Sequence, residues 1–390
     1  MTTTALSSLS NPERRRGVVF VIDRVMHYHA ATMQAVEQRL AAMDIPFTLL
    51  SANDAASAVG RVAYREPVVR NQQQFRLTER SVGNFMLRVQ HGLIDLVSDL
   101  RPAVVISTCH SGTLSEWRLL AWARRRGIRC VAWQCGYEYN PGAIKRLALN
   151  RFIPLFDFHL CYHSNAQRYA LAYGAKPNQT LVMHNTIDEA KILPKDRVAA
   201  RAALVARWPE LAGKKVVLYV GAVLAEKRLD DVFAALSQLA DPNVSFVLVG
   251  DGPYLPVLRQ RYAGRGDWVC VGRVVDGVGA FFDAADVFVL PGTGGLAINE
   301  AMAHRLPVIS GYADGSADDL VLDGETGYRM AEESPSALAA SMLQFLADPA
   351  RAMAMGINGE QRIRGKLSFQ SFIDRVVGVL VAQHRQTIGS

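Results

Sequence analysis

The chain has 390 residues, half of them hydrophobic and a fifth charged, which excludes a disordered or fibrous protein and leaves room for two domains with separate cores. No apolar run reaches the ~18 residues of a membrane span, and the polar start MTTTALSSLSNPERRR lacks the apolar core of a signal peptide. The expected setting is cytoplasmic, with membrane contact at most peripheral.

The net charge of +7 is unevenly spread, with 22 Lys and Arg against 14 Asp and Glu up to residue 190, and 21 against 22 beyond it. Most of the excess is arginine, including Arg14 to Arg16, Arg70, Arg76, Arg80, Arg88 and Arg124 to Arg126, followed by Lys145, Arg146 and Arg151. Such a face suits phosphate groups, whether of lipid headgroups, of a diphosphate-bearing acceptor or of nucleic acid, and equally serves as a solubilising surface. The five cysteines form no CxxC pair and have no histidine-rich spacing, as expected for reduced thiols with no metal site.

Residues 1–16 read as a disordered basic leader. Residues 17–22 are an unbroken apolar run and predict a buried strand. A polar bend follows, then a helix with Met33, Val36, Leu40 and Met43 at helical spacing, and a strand over 45–50. From 55 to 80 the pattern fades into Arg, Gln and Asn, which predicts a surface excursion. Periodicity returns over 82–100 as an amphipathic helix. Strands are predicted at 102–107 and 128–133, with a helix carrying Trp117 between them. Ligands of open α/β sheets bind beyond the carboxyl ends of strands, so residues 23–29, 109–111 and 134–137 should share one rim. Further on, a strand at 158–162, a helix at 165–173 and a strand at 180–183 lead into a polar stretch, 189–213, that reads as a linker.

The second half restarts the alternation. Strands are predicted at 215–220, 245–249 and 269–272, helices at 229–239, 254–262 and 279–284, and a Gly-Asp-Gly-Pro turn at 250–253. The stretch VFVLPGTGGLAINEAMAHRLPVIS, from Val287 to Ser310, reads as strand, Gly-rich loop, helix and strand. Its glycines permit a close backbone approach, and a helix starting at Leu296 would aim its free N–H groups and positive dipole end into the loop, where an anion belongs. Glu300, one turn on, has the reach to accept hydrogen bonds from vicinal hydroxyls such as those of a ribose. Phosphate and ribose together indicate a nucleotide. Beyond it, 323–327 (Asp-Gly-Glu-Thr-Gly) reads as a hairpin turn, and helices are predicted at 334–347, 349–365 and 369–384. Two β/α alternations separated by a linker predict two doubly wound domains.

The ordered set GAVLAEKRLDD at 221–231, VGDGP at 249–253, VGRV at 271–274, the stretch from 284 to 309 and DGETGY at 323–328 resembles glycosyltransferase family 4, the retaining nucleotide-sugar-dependent enzymes of the GT-B fold. The likeness is close over 216–329 and extends to the N-terminal half only in layout. It implies an α/β GT-B architecture of two Rossmann-like domains facing across a cleft. The acceptor domain would span 17–190 and the nucleotide-sugar domain 191–368, with a C-terminal helix, 369–390, crossing back to the first. In that reading Lys227 clamps the diphosphate with Arg228 beside it, and Arg273 lies near the nucleotide. Gly294, Gly295 and Leu296 offer backbone N–H groups, Thr293 belongs to the same donor-binding loop, Glu300 holds the ribose, and Gly221, Gly250 and Gly252 line the donor loops.

Three positions depart from the family pattern. Gly292 stands where the first acid of a Glu-x7-Glu pair is expected, and Ala222 where an arginine usually follows the loop glycine. Gln134 or Cys135 lies near the place of a sugar-facing histidine, with His110 on the neighbouring strand, so the expected catalytic set is Lys227, His110 and Gln134. The implied partners are a UDP- or GDP-sugar and a saccharide or lipid-diphosphate-linked acceptor, with no nucleic acid. No DxD motif occurs, which fits a mechanism needing no metal or other cofactor. A degenerate, binding-only protein and a nucleotide-sugar epimerase of the same fold are the alternatives.

Overall fold

A computed structural model describes residues 16–53, 66–82, 85–136, 141–330 and 332–389. Residues 1–15 of the expected leader, residues 55–65 of the expected excursion and Tyr137 lie outside the described residues. The chain divides into two compact units, one running to Met183 and resuming at Phe372, the other spanning His184 to Ser371.

The first unit contains, in order, β1 (Val18–Ile22), α1 (Ala30–Ala41), β2 (Phe47–Ala52), β3 (Gln72–Val82), β4 (Phe85–His91), α2 (Leu93–Leu100), β5 (Val104–Ser107), α3 (Leu114–Arg124), β6 (Arg129–Gln134), α4 (Ala143–Phe152), β7 (Phe158–Cys161), α5 (Ser164–Ala172) and β8 (Thr180–Val182). Its sheet runs β4-β3-β2-β1-β5-β6-β7-β8. Every neighbouring pair is parallel except β3 with β4. β1 and β5 are buried along their whole length, as continuous apolar runs in a parallel sheet must be.

The hairpin β3–β4 corrects two expectations. Residues 72–82 are a long strand rather than an irregular excursion, and the helix expected from residue 82 starts only at Leu93, after Gly92 at φ +71°. The polar residues that hide these strands are a paired set. Glu79 bridges Arg24 and Arg88, and the Gln90 amide donates to Asp23 at 2.6 Å. Among the residues of β3 whose burial is described, only Phe75 and Leu77 are buried, so the alternation is too short to read. The register places Val82 opposite Phe85.

The second unit contains α6 (Arg197–Arg207), β9 (Lys215–Val220), α7 (Leu229–Leu239), β10 (Val244–Val249), α8 (Leu255–Arg261), β11 (Trp268–Gly272), α9 (Gly279–Ala284), β12 (Val287–Leu290), α10 (Leu296–Ala303), β13 (Val308–Ser310), α11 (Ala317–Leu320), β14 (Gly327–Arg329), α12 (Pro335–Ala347) and α13 (Pro349–Arg364). Its all-parallel sheet runs β11-β10-β9-β12-β13-β14, so the strand order reverses between β9 and β12.

The expected linker is instead part of this unit. Asp196 caps α6 by accepting the Val198 N–H, Arg197 and Arg201 both pair with Asp286, and Leu204 and Leu211 enter the core. Its arginines and prolines gave it a loop-like composition, yet one apolar stripe suffices to hold a helix on a sheet.

The turn at 323–327 is no hairpin. β14 pairs parallel with β13, and α11 lies between them in the chain, so the segment returns by a crossover. Gly324, at φ +75°, donates to Gly327 O at 2.9 Å and turns the chain into the edge strand.

The last helix, α14 (Phe369–Ile388), belongs to the first unit from Phe372 onward. There Phe372 lies edge-on to Trp133, Gln383 accepts from Arg129, and Thr387 donates to Ala103 O. Among the described residues no helix is long and apolar enough to cross a membrane.

Candidate functional site

The reversal point between β9 and β12 is where an open α/β sheet forms a crevice beyond its strand ends, and the loops after both strands meet there. Behind it the loops after β9, β10 and β11 continue the sheet's hydrogen bonding: Gly221 N donates to Val249 O, Val223 N to Asp251 O and Gly250 N to Gly272 O. A methyl group on Gly250 would stand 1.9 Å from Gly221 O, and one on Gly252 would stand 2.3 Å from Val223 O. Gly250 and Gly252, expected to line the donor loops, are therefore demanded by loop-to-loop packing. Gly221, at φ +152°, completes the same seam.

Lys227 ends a short 3-10 turn, Ala225–Lys227, and is only 8 % exposed. Its Nζ donates to Thr293 O at 2.5 Å, and Thr293 N donates back to Glu226 O at 3.0 Å. The ammonium thus lies against the Gly-rich loop after β12. Gly292 sits where this contact is tightest, since a methyl there would stand 2.2 Å from Glu226 O and 2.7 Å from Lys227 Cα. A carboxylate-bearing side chain at this position would clash with that backbone.

α10 begins at Leu296, with Gly295 as its N-cap and no side-chain cap. Among the described residues, no acceptor meets the N–H groups of Gly294, Gly295, Leu296 and Ala297. Four free donors at a helix amino end, beside a lysine ammonium, make an anion site.

Glu300, one turn into α10, is half-buried, and among the described residues its carboxylate has no hydrogen-bond partner. Burial raises its pKa above the ordinary glutamate value, and His304 on the next turn works against that rise. His304 is itself fixed, its Nδ1 2.6 Å from Asp283 Oδ1 and its ring stacked on Phe282.

The two expected arginines differ. Arg228 is held by Asp231 and Glu333, so its guanidinium is already neutralised and does not join Lys227 in a clamp. Arg273 follows β11 and is exposed, with no ionic partner among the described residues.

His110 and Gln134 lie in the first unit, at the carboxyl ends of β5 and β6. Gln134 is only 3 % exposed and its Oε1 is buried without a hydrogen-bond partner, which places it in the packing of the strand end rather than on an open surface. The backbone N–H of His110 donates to Glu116, as does that of Cys109, which sits at φ +58°. Glu116 is buried, and burial pushes its pKa up to about 7. His29, by contrast, is pushed down to about 4 by burial, with His27 adding to the effect. Glu116 and the Asp23–Gln90 pair were missed from sequence, although Thr-Leu-Ser-Glu at 113–116 carries the spacing of a helix start with an acid three residues in.

The family model described as glycosyl transferases group 1 matches residues 214–348, from just before β9 to the end of α12. Over 325 residues the chain is 30% identical to a GDP-mannose-dependent alpha-(1-6)-phosphatidylinositol monomannoside mannosyltransferase of Mycolicibacterium smegmatis, covering 77% of this chain and 79% of that protein. HepE of Anabaena in complex with UDP and glucose superposes with a TM-score of 0.70 at 16% identity, over 94% of this chain and 100% of that one. Sucrose-phosphate synthase of Thermosynechococcus elongatus gives 0.70 at 19%, over 94% and 98%. At such identities the likeness shows the shared two-domain, parallel-sheet fold. With the mannosyltransferase aligned along most of both chains and the matched model centred on the β9–β12 crevice, the chain belongs to the group 1 glycosyl transferases.

Proposed function

We propose that the protein is a retaining, metal-independent enzyme of glycosyltransferase family 4. It moves a sugar from a UDP- or GDP-sugar to a hydroxyl of a saccharide or lipid-linked acceptor, in the synthesis of a cell-surface polysaccharide or glycoconjugate. The observation that carries this reading is the set of free N–H groups at the start of α10, with Lys227 against them and the unpartnered Glu300 one turn further in.

Breaking the glycosidic bond leaves negative charge on the β-phosphate. Oriented N–H donors and a lysine ammonium stabilise that charge in the transition state more than in the ground state, and so take the part a divalent cation plays elsewhere. Glu300 accepts the ribose hydroxyls and fixes the donor's register, and exposed Arg273 meets the nucleotide. The departing phosphate oxygen takes the acceptor proton, and His110 helps place the sugar. A GDP-sugar donor and a lipid-linked acceptor have the support of the mannosyltransferase relative.

Peripheral contact with an anionic membrane surface has a local basis in α4. Ile144 and Leu147 are 80% and 54% exposed there, beside exposed Arg146 and Arg151.

The test is to incubate pure protein with a panel of nucleotide sugars, with and without acceptors, and to follow release of nucleoside diphosphate. Release that needs an acceptor establishes transfer. Release without one indicates hydrolysis or epimerisation, and binding without turnover indicates a degenerate protein. The anomeric configuration of the product, by NMR, reads retention, and activity in excess EDTA reads metal dependence.

A further inference from the structure

Asp314 lies in the turn between β13 and α11, on the side of the anion site opposite Lys227's loop in the strand order. The turn is unusual in its backbone: Ala313, a residue with a Cβ, is at φ +57°, and Gly315 is at φ +92°. A left-handed alanine is strained, and such strain persists where the surroundings over-determine it. Here the turn is stapled to the Gly-rich loop, because Asp314 N donates to Gly294 O at 3.1 Å.

The two carboxylate oxygens of Asp314 are not equivalent. Oδ1 receives the Ser316 N–H at 3.0 Å and the Ser316 hydroxyl at 2.5 Å. Oδ2 has no hydrogen-bond partner among the described residues, and the side chain is half-buried. A methyl group on Gly295 would stand 2.6 Å from Oδ2 and 3.0 Å from Oδ1, so the carboxylate lies against the second residue of the N–H cradle. The local turn needs only Oδ1, and asparagine would serve it equally well. Neither the negative charge nor the approach of Oδ2 to the glycine is explained by the turn.

An anion at this spot is a poor phosphate ligand, since like charges repel. It is a good acceptor for hydroxyl groups, and a carboxylate with one oxygen locked offers the other at a fixed position. The group esterified to a diphosphate held on residues 294–297 lies next to that cradle. No side chain can come from Gly292 on the facing side, because the Glu226–Lys227 backbone fills its place.

We propose that Oδ2 of Asp314 accepts a hydroxyl of the transferred sugar and thereby selects the donor by the orientation of that hydroxyl. This rests on the donor-site reading above. The experiment compares wild type, Asp314→Asn and Asp314→Ala by calorimetry and kinetics, using UDP and GDP alone and then the matching nucleotide sugars. Expected for both variants is a nucleoside diphosphate Kd within about twofold of wild type. The Kd and KM of the preferred nucleotide sugar should rise tenfold or more, and its advantage over an epimer differing at one hydroxyl should shrink.

Equal weakening for the diphosphate and the nucleotide sugar would overturn the proposal, as would no change in either. Asp314→Asn keeps the Ser316 cap, so a loss confined to the sugar separates recognition from folding. Failure of the underlying site shows differently: Glu300→Ala would then leave the affinity for the diphosphate itself unchanged.

Discussion

Lys227 Nζ donates to the carbonyl oxygen of Thr293, and through this bond the loop after β9 is fastened to the loop after β12 across the point where the strand order reverses. The lysine therefore has two duties: it closes the Gly-rich loop, and it presents a charge at the mouth of α10. A charge that meets a developing oxyanion contributes more as the bond breaks than before it. Lys227→Ala is expected to lower kcat about 10²–10³-fold while weakening donor binding by no more than about tenfold. Steady-state kinetics alongside calorimetry reads both quantities, and equal losses would remove Lys227 from the transition state.

Glu300 presents a carboxylate that the protein itself leaves without a hydrogen-bond partner among the described residues. Burying such a group half-way costs stability unless a ligand uses it. Glu300→Ala should raise the nucleotide Kd at least tenfold, about 1.4 kcal/mol. Calorimetric titration with UDP and GDP measures it, and unchanged affinity would contradict the ribose assignment.

The same residue sets a pH dependence. Burial raises the Glu300 pKa, with His304 opposing the rise and Asp283 fixing His304 from the other side. Only the ionised carboxylate accepts both hydroxyls of a vicinal pair. Donor affinity should therefore be complete above the raised pKa and fall as the pH drops through it, beginning at a higher pH than an ordinary glutamate would give. For stability the sign is opposite. The folded state holds this proton more tightly than the unfolded one, so the contribution of Glu300 to stability declines as pH rises from the ordinary to the raised value. Titrating with a nucleotide sugar, whose doubly esterified diphosphate stays charged, isolates the protein group. Glu300→Gln should flatten the profile, and a variant profile identical to wild type would assign the titration elsewhere.

The second unit was more legible in sequence than the first, for a physical reason. Its strands are apolar runs buried on both faces, and its loops are punctuated by glycines at fixed places, so strand ends, loop and helix start could be read to within a residue or two at β12 and α10. In the first unit the β3–β4 hairpin is stabilised by side-chain pairs such as Glu79 with Arg88, which leave no periodic trace. The site showed the same divide. Lys227 and Glu300 were legible as charges near a Gly-rich loop. Asp314 was not, because it reaches Gly295 through a left-handed turn that composition does not announce. The pairing of Arg228 was not legible either, because its two acidic partners include Glu333, far along the chain.

The glycines of the two halves of the site should fail in different ways. Gly250 combines φ +144° with a backbone oxygen 1.9 Å from where a Cβ would lie, so Gly250→Ala must push the β9 and β10 loops apart. The expected cost is about 2–3 kcal/mol of stability. Gly266, with open space around its Cβ position, serves as the control and should change stability by no more than about 0.5 kcal/mol as alanine. Gly292→Ala adds a second effect, because its methyl would press on the backbone of Lys227 itself and displace the ammonium from Thr293. Thermal melts should rank both Gly250→Ala and Gly292→Ala well below Gly266→Ala. Among the molecules that remain folded, kcat should fall more in Gly292→Ala than in Gly250→Ala. If kcat per folded molecule falls equally in both, Gly292 is only a packing position and its contact with Lys227 does not govern the chemistry.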